Sequence, residues 1–143
     1  MKTARQLLAN KSAQGVVSIG PDATVYDALK LMADKDIGAL VVLDGHKLIG
    51  IFTERDYARK VALLGKSSKD IPMRDIMTHR VLCVTPDQMI DECMAVMTEK
   101  RCRHLPVVED KRVIGVLSIG DLVKEMISEQ RDTIAQLESY IMS

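Results

Sequence analysis

Apolar residues along the chain keep two rhythms, and each appears twice. Val25, Ala28, Leu29 and Met32 recur at i, i+3, i+4 and i+7, which predicts a helix with one buried face, and Thr24 with Asp27 supplies a capping box at its start. A short apolar run at 39–43, the turn pair Asp44-Gly45 and a second run over 47–53 then predict a β-hairpin. The same order returns with Ile90, Cys93, Met94 and Met97 on a helix face, followed by runs at 105–108 and 112–118 around the poorer turn signal Asp110-Lys111. The methionines on these faces read as flexible core filler. Residues 3–9 predict a short helix through Ala4, Leu7 and Leu8, with too little apolar surface to stand alone, so it is expected to dock on a neighbour. Val16, Val17 and Ile19 suggest a strand stopped by Gly20-Pro21. A helix opening near Asp56 is expected to run to Gly65, and 66–70 with Pro72 reads as a connector. A last helix is expected from about Asp121 to Ile141.

The two halves are one unit used twice. Gly50-Ile51-Phe52-Thr53-Glu54-Arg55-Asp56 returns 65 positions later as Gly115-Val116-Leu117-Ser118-Ile119-Gly120-Asp121. Aligned without a gap, residues 17–57 over 82–122, nine of 41 pairs are identical, Pro21/Pro86, Asp22/Asp87, Gly50/Gly115 and Asp56/Asp121 among them. In each copy a buried strand ends in a hydroxyl followed three residues later by a carboxylate, the pattern of a strand-to-helix junction. Such a junction presents free N–H groups at the positive end of a helix, and its Asp can accept from the paired hydroxyls of a ribose. The same Thr/Ser-x-x-Asp spacing also serves as a capping box with no ligand at all.

Two units of this length, each with Pro-Asp before an amphipathic helix, an apolar strand pair and Gly-x-x-Thr/Ser-x-x-Asp at the end, resemble the tandem cystathionine β-synthase (CBS) domain pair, the Bateman module. The resemblance covers nearly the whole chain. It implies an α/β (α+β) fold of two pseudo-twofold related β-α-β-β-α repeats, small sheets packed by helices. The expected organisation is a single module over 1–143, with repeat 1 at 12–65, repeat 2 at 76–130 and a helical extension at 131–143. It also implies a nucleotide sensor and not an enzyme.

Length and composition suit one compact unit. The chain has 143 residues, 47% hydrophobic, with 20 basic and 20 acidic residues interspersed, so a nucleic-acid or anionic-membrane surface is not expected. No run of 18 apolar residues occurs and the N-terminus lacks a signal-like apolar region, which makes the expected compartment the cytoplasm. An odd number of cysteines, three, favours reduced thiols. No catalytic residue is assigned: Cys102 and His104 are close in sequence but lack a third orienting group. No metal site is expected either, since neither CxxC nor HxxxH spacing occurs.

The resemblance, carried over residue by residue, implies a first ligand site with Thr53 and Asp56 on a ribose, Ser18 and Ile37 near the base, and Arg103 and His104 on the phosphate, with Arg55 as a second charge. Guanidinium suits phosphate because it offers a flat fork of donors. A second site has Ser118 and Asp121, but Gly38 and Ala39 stand where the first has Arg103 and His104, and Gly120 replaces Arg55. One strong site per chain is therefore expected. AMP is the leading ligand, with ADP, ATP and NAD(H) behind it, and the bound state is expected to bias an unknown regulated protein. The alternative is a constitutive interaction or scaffold module whose motifs only cap helices. A homodimer is expected as well, through a stripe of Val61, Leu63, Leu64, Leu122, Met126 and Ile127 and through Ile134, Leu137 and Ile141 of the extension.

Overall fold

The computed structural model describes residues 1–11 and 15–142, so the expected start of repeat 1 at 12 and the end of the extension at 143 lie outside the described residues. Helix α1 (Ala4–Ala9) is followed by strand β1 (Ser18–Ile19), helix α2 (Val25–Lys35), and the hairpin of β2 (Ala39–Asp44) and β3 (Lys47–Thr53). Helix α3 (Glu54–Tyr57) leads directly into a π-helical turn at Ala58–Ala62, and α4 (Met73–Ile76) lies in the stretch between the two copies. Helix α5 (Ile90–Lys100), strands β4 (His104–Glu109) and β5 (Arg112–Ser118), and the long helix α6 (Ile119–Met142) complete the chain. The architecture is the mixed α/β arrangement expected from the repeat.

The two copies use the same devices. Thr24 accepts from the Asp27 N–H at the start of α2 while Asp27 accepts from the Thr24 N–H, the reciprocal cap that the sequence announced. α2 and α5 both end on a left-handed residue, Asp36 (φ 53°) and Arg101 (φ 55°), which turns the chain sharply into the next strand. β2 and β3 pair antiparallel from Ala39↔Thr53 to Asp44↔Lys47, and β4 and β5 from His104↔Ser118 to Glu109↔Arg112, each with an irregularity at the corresponding place, Val42/Leu43 and Val107/Val108. β1 adds to β2 in parallel; in the second copy its counterpart is reduced to the single parallel bridge Val84↔Val107. The expected strand over Val16, Val17 and Ile19 is thus shorter, and begins at Ser18.

Each copy builds its own core, and each core is closed by a segment from elsewhere in the chain. The first gathers Val25, Ala28, Met32, Leu40, Val42, Phe52 and Val61 with Met73, Ile76 and Met77 of the α4 stretch. The second gathers Ile90, Cys93, Met97, Leu105, Val107, Leu117 and Leu122 with Ala4 and Leu7 of α1, which docks 80 or more positions away in sequence. The two closing segments are equivalent to the level of single hydrogen bonds: Met73 and Arg74 donate to the carbonyls of Ala23 and Pro21, while Ala4 and Arg5 donate to those of Gln88 and Pro86. Both press on a glycine shared by the two copies of the motif: a β-carbon at Gly50 would meet Met77 Sδ at 2.5 Å, and one at Gly115 would meet Leu8 Cδ2 at 2.5 Å, so the side chain above would have to shift.

Two expectations are corrected here. Val61 and Leu122 belong to no exposed stripe, being fully buried in the first and second cores, and Met126 packs partly against the second. The reason is that the π turn after α3 and the first turn of α6 pack back onto the core of their own copy. Leu63, Leu64, Val123, Ile127 and the apolar residues of the extension are the ones left exposed. The helix expected to run to Gly65 instead loosens into the π turn, where Leu63 and Lys66 donate to carbonyls five residues back, before Gly65 takes φ +67°.

Because α1 completes a core, Leu7→Ala should lower stability by about 2 kcal/mol or more, as for a buried leucine, although Leu7 lies outside the repeat it serves. Thermal or urea unfolding checks this, and an unchanged midpoint would mean that α1 does not close the second core.

Candidate functional site

At each strand-to-helix junction the motif hydroxyl and Asp interlock. Asp56 Oδ2 accepts from the Thr53 N–H at 3.0 Å and lies 3.2 Å from Thr53 Oγ1, while the Asp56 N–H donates to Thr53 Oγ1. In the second copy Asp121 Oδ2 accepts from the Ser118 N–H at 2.8 Å and the Asp121 N–H donates to Ser118 Oγ. Both motifs do cap their helices. The junctions are also tied back to the residue that precedes the hairpin, Glu54 N–H to Gly38 O and Ile119 N–H to Arg103 O, so Gly38 and Arg103 hold matching places beside the two carboxylates.

A cleft opens beside each Asp. The one at Asp56, about 410 Å³, is lined by Thr53, Glu54 and Arg55 from the first copy, by Thr78 and Arg80 from the stretch after α4, and by Lys100, Arg101, Cys102, Arg103 and His104 from the second. The one at Asp121, about 860 Å³, is lined by Ser118, Gly115 and Ile114, by Leu8, Ala9 and Lys11, and by Val16, Val17, Lys35, Asp36 and Ile37 of the first copy. Each cleft therefore combines one copy's motif, the other copy's α-to-β turn, and the end of a core-closing segment.

The set of residues expected at the first site is divided between these clefts. Thr53, Arg55, Asp56, Arg103 and His104 come together around the first. Ile37 lines the second, with Ser118 and Asp121. Ser18 sits on β1 in register with Val41, next to Val17, which also lines the second. The pseudo-twofold relation is the cause: the turn facing each Asp comes from the opposite copy, so Cys102 occupies beside Asp56 the place that Ile37 occupies beside Asp121.

Charge separates the two clefts. Around Asp56 the cations Arg55, Arg80, Lys100, Arg101 and Arg103 outnumber Glu54 and Asp56. Asp56 Oδ1 lies 3.3 Å from Lys60 Nζ and accepts from the Thr78 hydroxyl at 3.2 Å, and Arg55 Nη1 donates to Arg101 O. Around Asp121 two lysines face two aspartates, Lys11 and Lys35 against Asp36 and Asp121, among mostly apolar neighbours. Lys11 Nζ lies 2.8 Å from Asp121 Oδ2 and also donates to Val116 O. Burial alone would push the Asp121 carboxyl up, but the hydrogen bonds from Lys11 and the Ser118 N–H and the charge of Lys11 outweigh it and hold the carboxyl below its ordinary value.

His104 lies between the clefts and lines both. Its Nε2 would stand 3.6 Å from a β-carbon on Gly38, and Glu54, Lys11, Asp121 and Arg103 are the charged groups around it. Burial lowers its pKa, and the pull of Lys11 and Arg103 in that direction is opposed by Glu54 and Asp121.

Lys11, Lys60, Thr78 and Arg80 were not singled out in the sequence, and Cys102 was weighed there only as a catalytic thiol. A signal for three of them existed: residues 4–11 align over 73–80, with Arg5/Arg74 identical and Ala4/Met73, Leu7/Ile76 and Leu8/Met77 all apolar, which sets Lys11 over Arg80 and Ala9 over Thr78. That similarity is weak over eight residues. It gains meaning only once both segments are seen to close a core.

Because His104 titrates lower when folded than unfolded, the unfolded chain binds more protons just below the ordinary histidine pKa. Stability should therefore be complete above that value and fall as pH drops from about 6.5 toward the folded pKa. His104→Gln should flatten this part of a melting-temperature profile; a parent and variant with the same slope would remove His104 as its source.

The comparisons with known proteins agree with this geometry. The family model described as CBS domain matches residues 12–63 and 73–128. A CBS-domain protein from Burkholderia ambifaria is 52% identical in sequence and superposes with a TM-score of 0.86, over 90% of this chain and 96% of that one. Among curated proteins, the mitochondrial CBS domain-containing protein CBSX3 of Arabidopsis thaliana is 45% identical over 84% of this chain, which spans 61% of the relative's length. The CBS domain pair of protein MJ0100, solved with 5′-methylthioadenosine and S-adenosyl-L-methionine, shares the fold at a TM-score of 0.76 and 24% identity, over 87% of this chain and 99% of that one. With both halves of the repeat matched by one family and the paired fold matched over nearly its full length, the chain belongs to the CBS-domain family, as a tandem pair of these regulatory modules.

Proposed function

We propose that the chain is an adenine-nucleotide sensor, with AMP as its leading ligand and ADP, ATP or NAD(H) as further candidates, and that ligand binding biases a partner protein. The observation that carries this reading is the cleft at Asp56, where a carboxylate suited to a ribose faces a cluster of cations supplied by the opposite copy. In this reading Asp56 and Thr53 hold the ribose, and Arg103 and His104, with Arg55, meet the phosphate. The turn at Cys102 stands beside the base in the place assigned to Ile37 from the sequence. Repeats 12–65 and 76–130 contribute one half of the cleft each, so a ligand there braces the two against each other.

The cleft at Asp121 offers no matching cation cluster, which supports one strong site per chain. Ser118 and Asp121 would there hold a nucleoside more readily than a nucleotide. The engagement of Asp56 by Thr53, Thr78 and Lys60 favours a second reading, a scaffold in which the motif only caps α3, since a ribose would have to displace some of those partners.

A thermal melt separates the two: nucleotide at 100 times its dissociation constant should add about 2.7 kcal/mol, whereas the scaffold reading requires no shift. By titration calorimetry, Asp56→Ala should weaken AMP binding far more than Asp121→Ala, and equal losses would contradict the asymmetry. Arg103→Ala should bring AMP and adenosine affinities closer together, while Asp56→Ala weakens both. An unchanged AMP-to-adenosine ratio in Arg103→Ala would remove the phosphate role.

A further inference from the structure

The first turns of helix α6 are held to the body of the chain. Leu122 is buried, Ile119 and Met126 pack against the second core, and on another face Lys2 reaches Glu125 (Nζ to Oε1, 3.2 Å) and Glu129 (backbone N–H to Oε1, 3.2 Å). From Gln130 to Met142 every residue is exposed. At about 1.5 Å per residue this stretch projects roughly 20 Å from the body. A helix of that length is marginal in water unless one face is covered.

Five of the exposed apolar residues of α6 fall on a single line, with Tyr140 and Met142 off it. Val123, Ile127, Ile134, Leu137 and Ile141 are 42, 45, 55, 58 and 79% exposed, and with Gln130 they are spaced 4, 3, 4, 3 and 4 residues apart. That is a heptad repeat, with Ile127, Ile134 and Ile141 at the a positions and Val123, Gln130 and Leu137 at the d positions. A seam this narrow, with a period of 3.5, fits another helix and not the broad face of a sheet. The lysine tether to Glu125 and Glu129 lies on the c and f positions, away from the seam, so docking of the N-terminus leaves it open.

Charge chooses the orientation of the covering helix. The e positions are Lys124, Arg131 and Glu138, and the g positions are Met126, Thr133 and Tyr140. In a parallel pair of identical helices g meets e, which sets Met126 against Arg131 and Thr133 against Glu138 and makes no ion pair. In an antiparallel pair a meets d and e meets e. Ile127 then packs on Leu137, Gln130 on Ile134 and Val123 on Ile141, and Lys124 faces Glu138 at both ends. Among the charged e positions only Arg131, near the two-fold axis, faces its own copy.

We infer that the projecting half of α6 pairs with the same helix of a second copy of the chain, as an antiparallel two-helix coiled coil in which Lys124 of each copy faces Glu138 of the other. The contact is isologous, so it closes on itself and leaves no seam free to polymerise.

Sedimentation equilibrium of the full chain over a concentration series tests it. Ile134→Glu should weaken association by on the order of tenfold or more, because it buries an unpaired charge in the seam, and the uncharged Ile134→Ser should act in the same direction. Lys124→Glu and Glu138→Lys should each weaken it, and the two combined should restore it. Arg131→Gln should strengthen it. A parent that remains at 15.9 kDa throughout, or an assembly indifferent to Ile134→Glu, would overturn the pairing. Single charge variants without effect, or a double swap no better than either single one, would overturn the antiparallel register.

Discussion

The contact on which the rest depends is the close approach of a helical segment to a glycine on the hairpin of a distant repeat: Leu8 over Gly115 and Met77 over Gly50. Neither repeat can cover its sheet and helix with its own residues, and the two closing segments, α1 and the α4 stretch, supply the missing apolar side chains. A β-carbon at either glycine would force the Met77 or Leu8 side chain to shift. The same approach carries the chain onward to the motif carboxylates, since Thr78, two residues past Ile76, reaches Asp56, and Lys11, four residues past Leu7, reaches Asp121. Core closure and cleft construction are one event.

Symmetry makes two clefts and sequence makes them different. The backbone devices are shared, down to the left-handed residues before β2 and β4 and the paired N–H donors at the junctions. What differs is the side chain at each equivalent place: Arg103 against Gly38, His104 against Ala39, Arg55 against Gly120. Those three exchanges concentrate positive charge at Asp56 and leave the Asp121 cleft balanced and largely apolar. His104 borders both, so a change in the charge of either cleft is felt at one half-buried imidazole.

Much of this was legible in the sequence because it is local. The capping box of Thr24 and Asp27, the hairpin at Asp44-Gly45 and the junctions at Thr53 and Ser118 are written within four residues of one another, where spacing determines geometry. Exposure was harder: Val61 and Leu122 lie among apolar neighbours that are exposed, and only the packing of helix on core decides which of them is buried. The composition of each cleft was harder still. Pairing Ile37 with Asp121 and Cys102 with Asp56 is a statement about how two repeats pack, and no spacing along the chain encodes it. Helix α4 is four residues long, too short to show a period, and its role emerges only with the core it closes.

The central claim is that the Asp56 cleft, assembled from both repeats and the stretch after α4, is the place where a nucleotide binds. Amide chemical-shift mapping during a titration with AMP tests it most directly. The account predicts that the largest and earliest shifts fall on Thr53, Asp56, Thr78 and Arg103, residues far apart in sequence that meet only there. Shifts centred instead on Lys11, Gly115 and Asp121, or no saturable shifts at millimolar AMP, would contradict it.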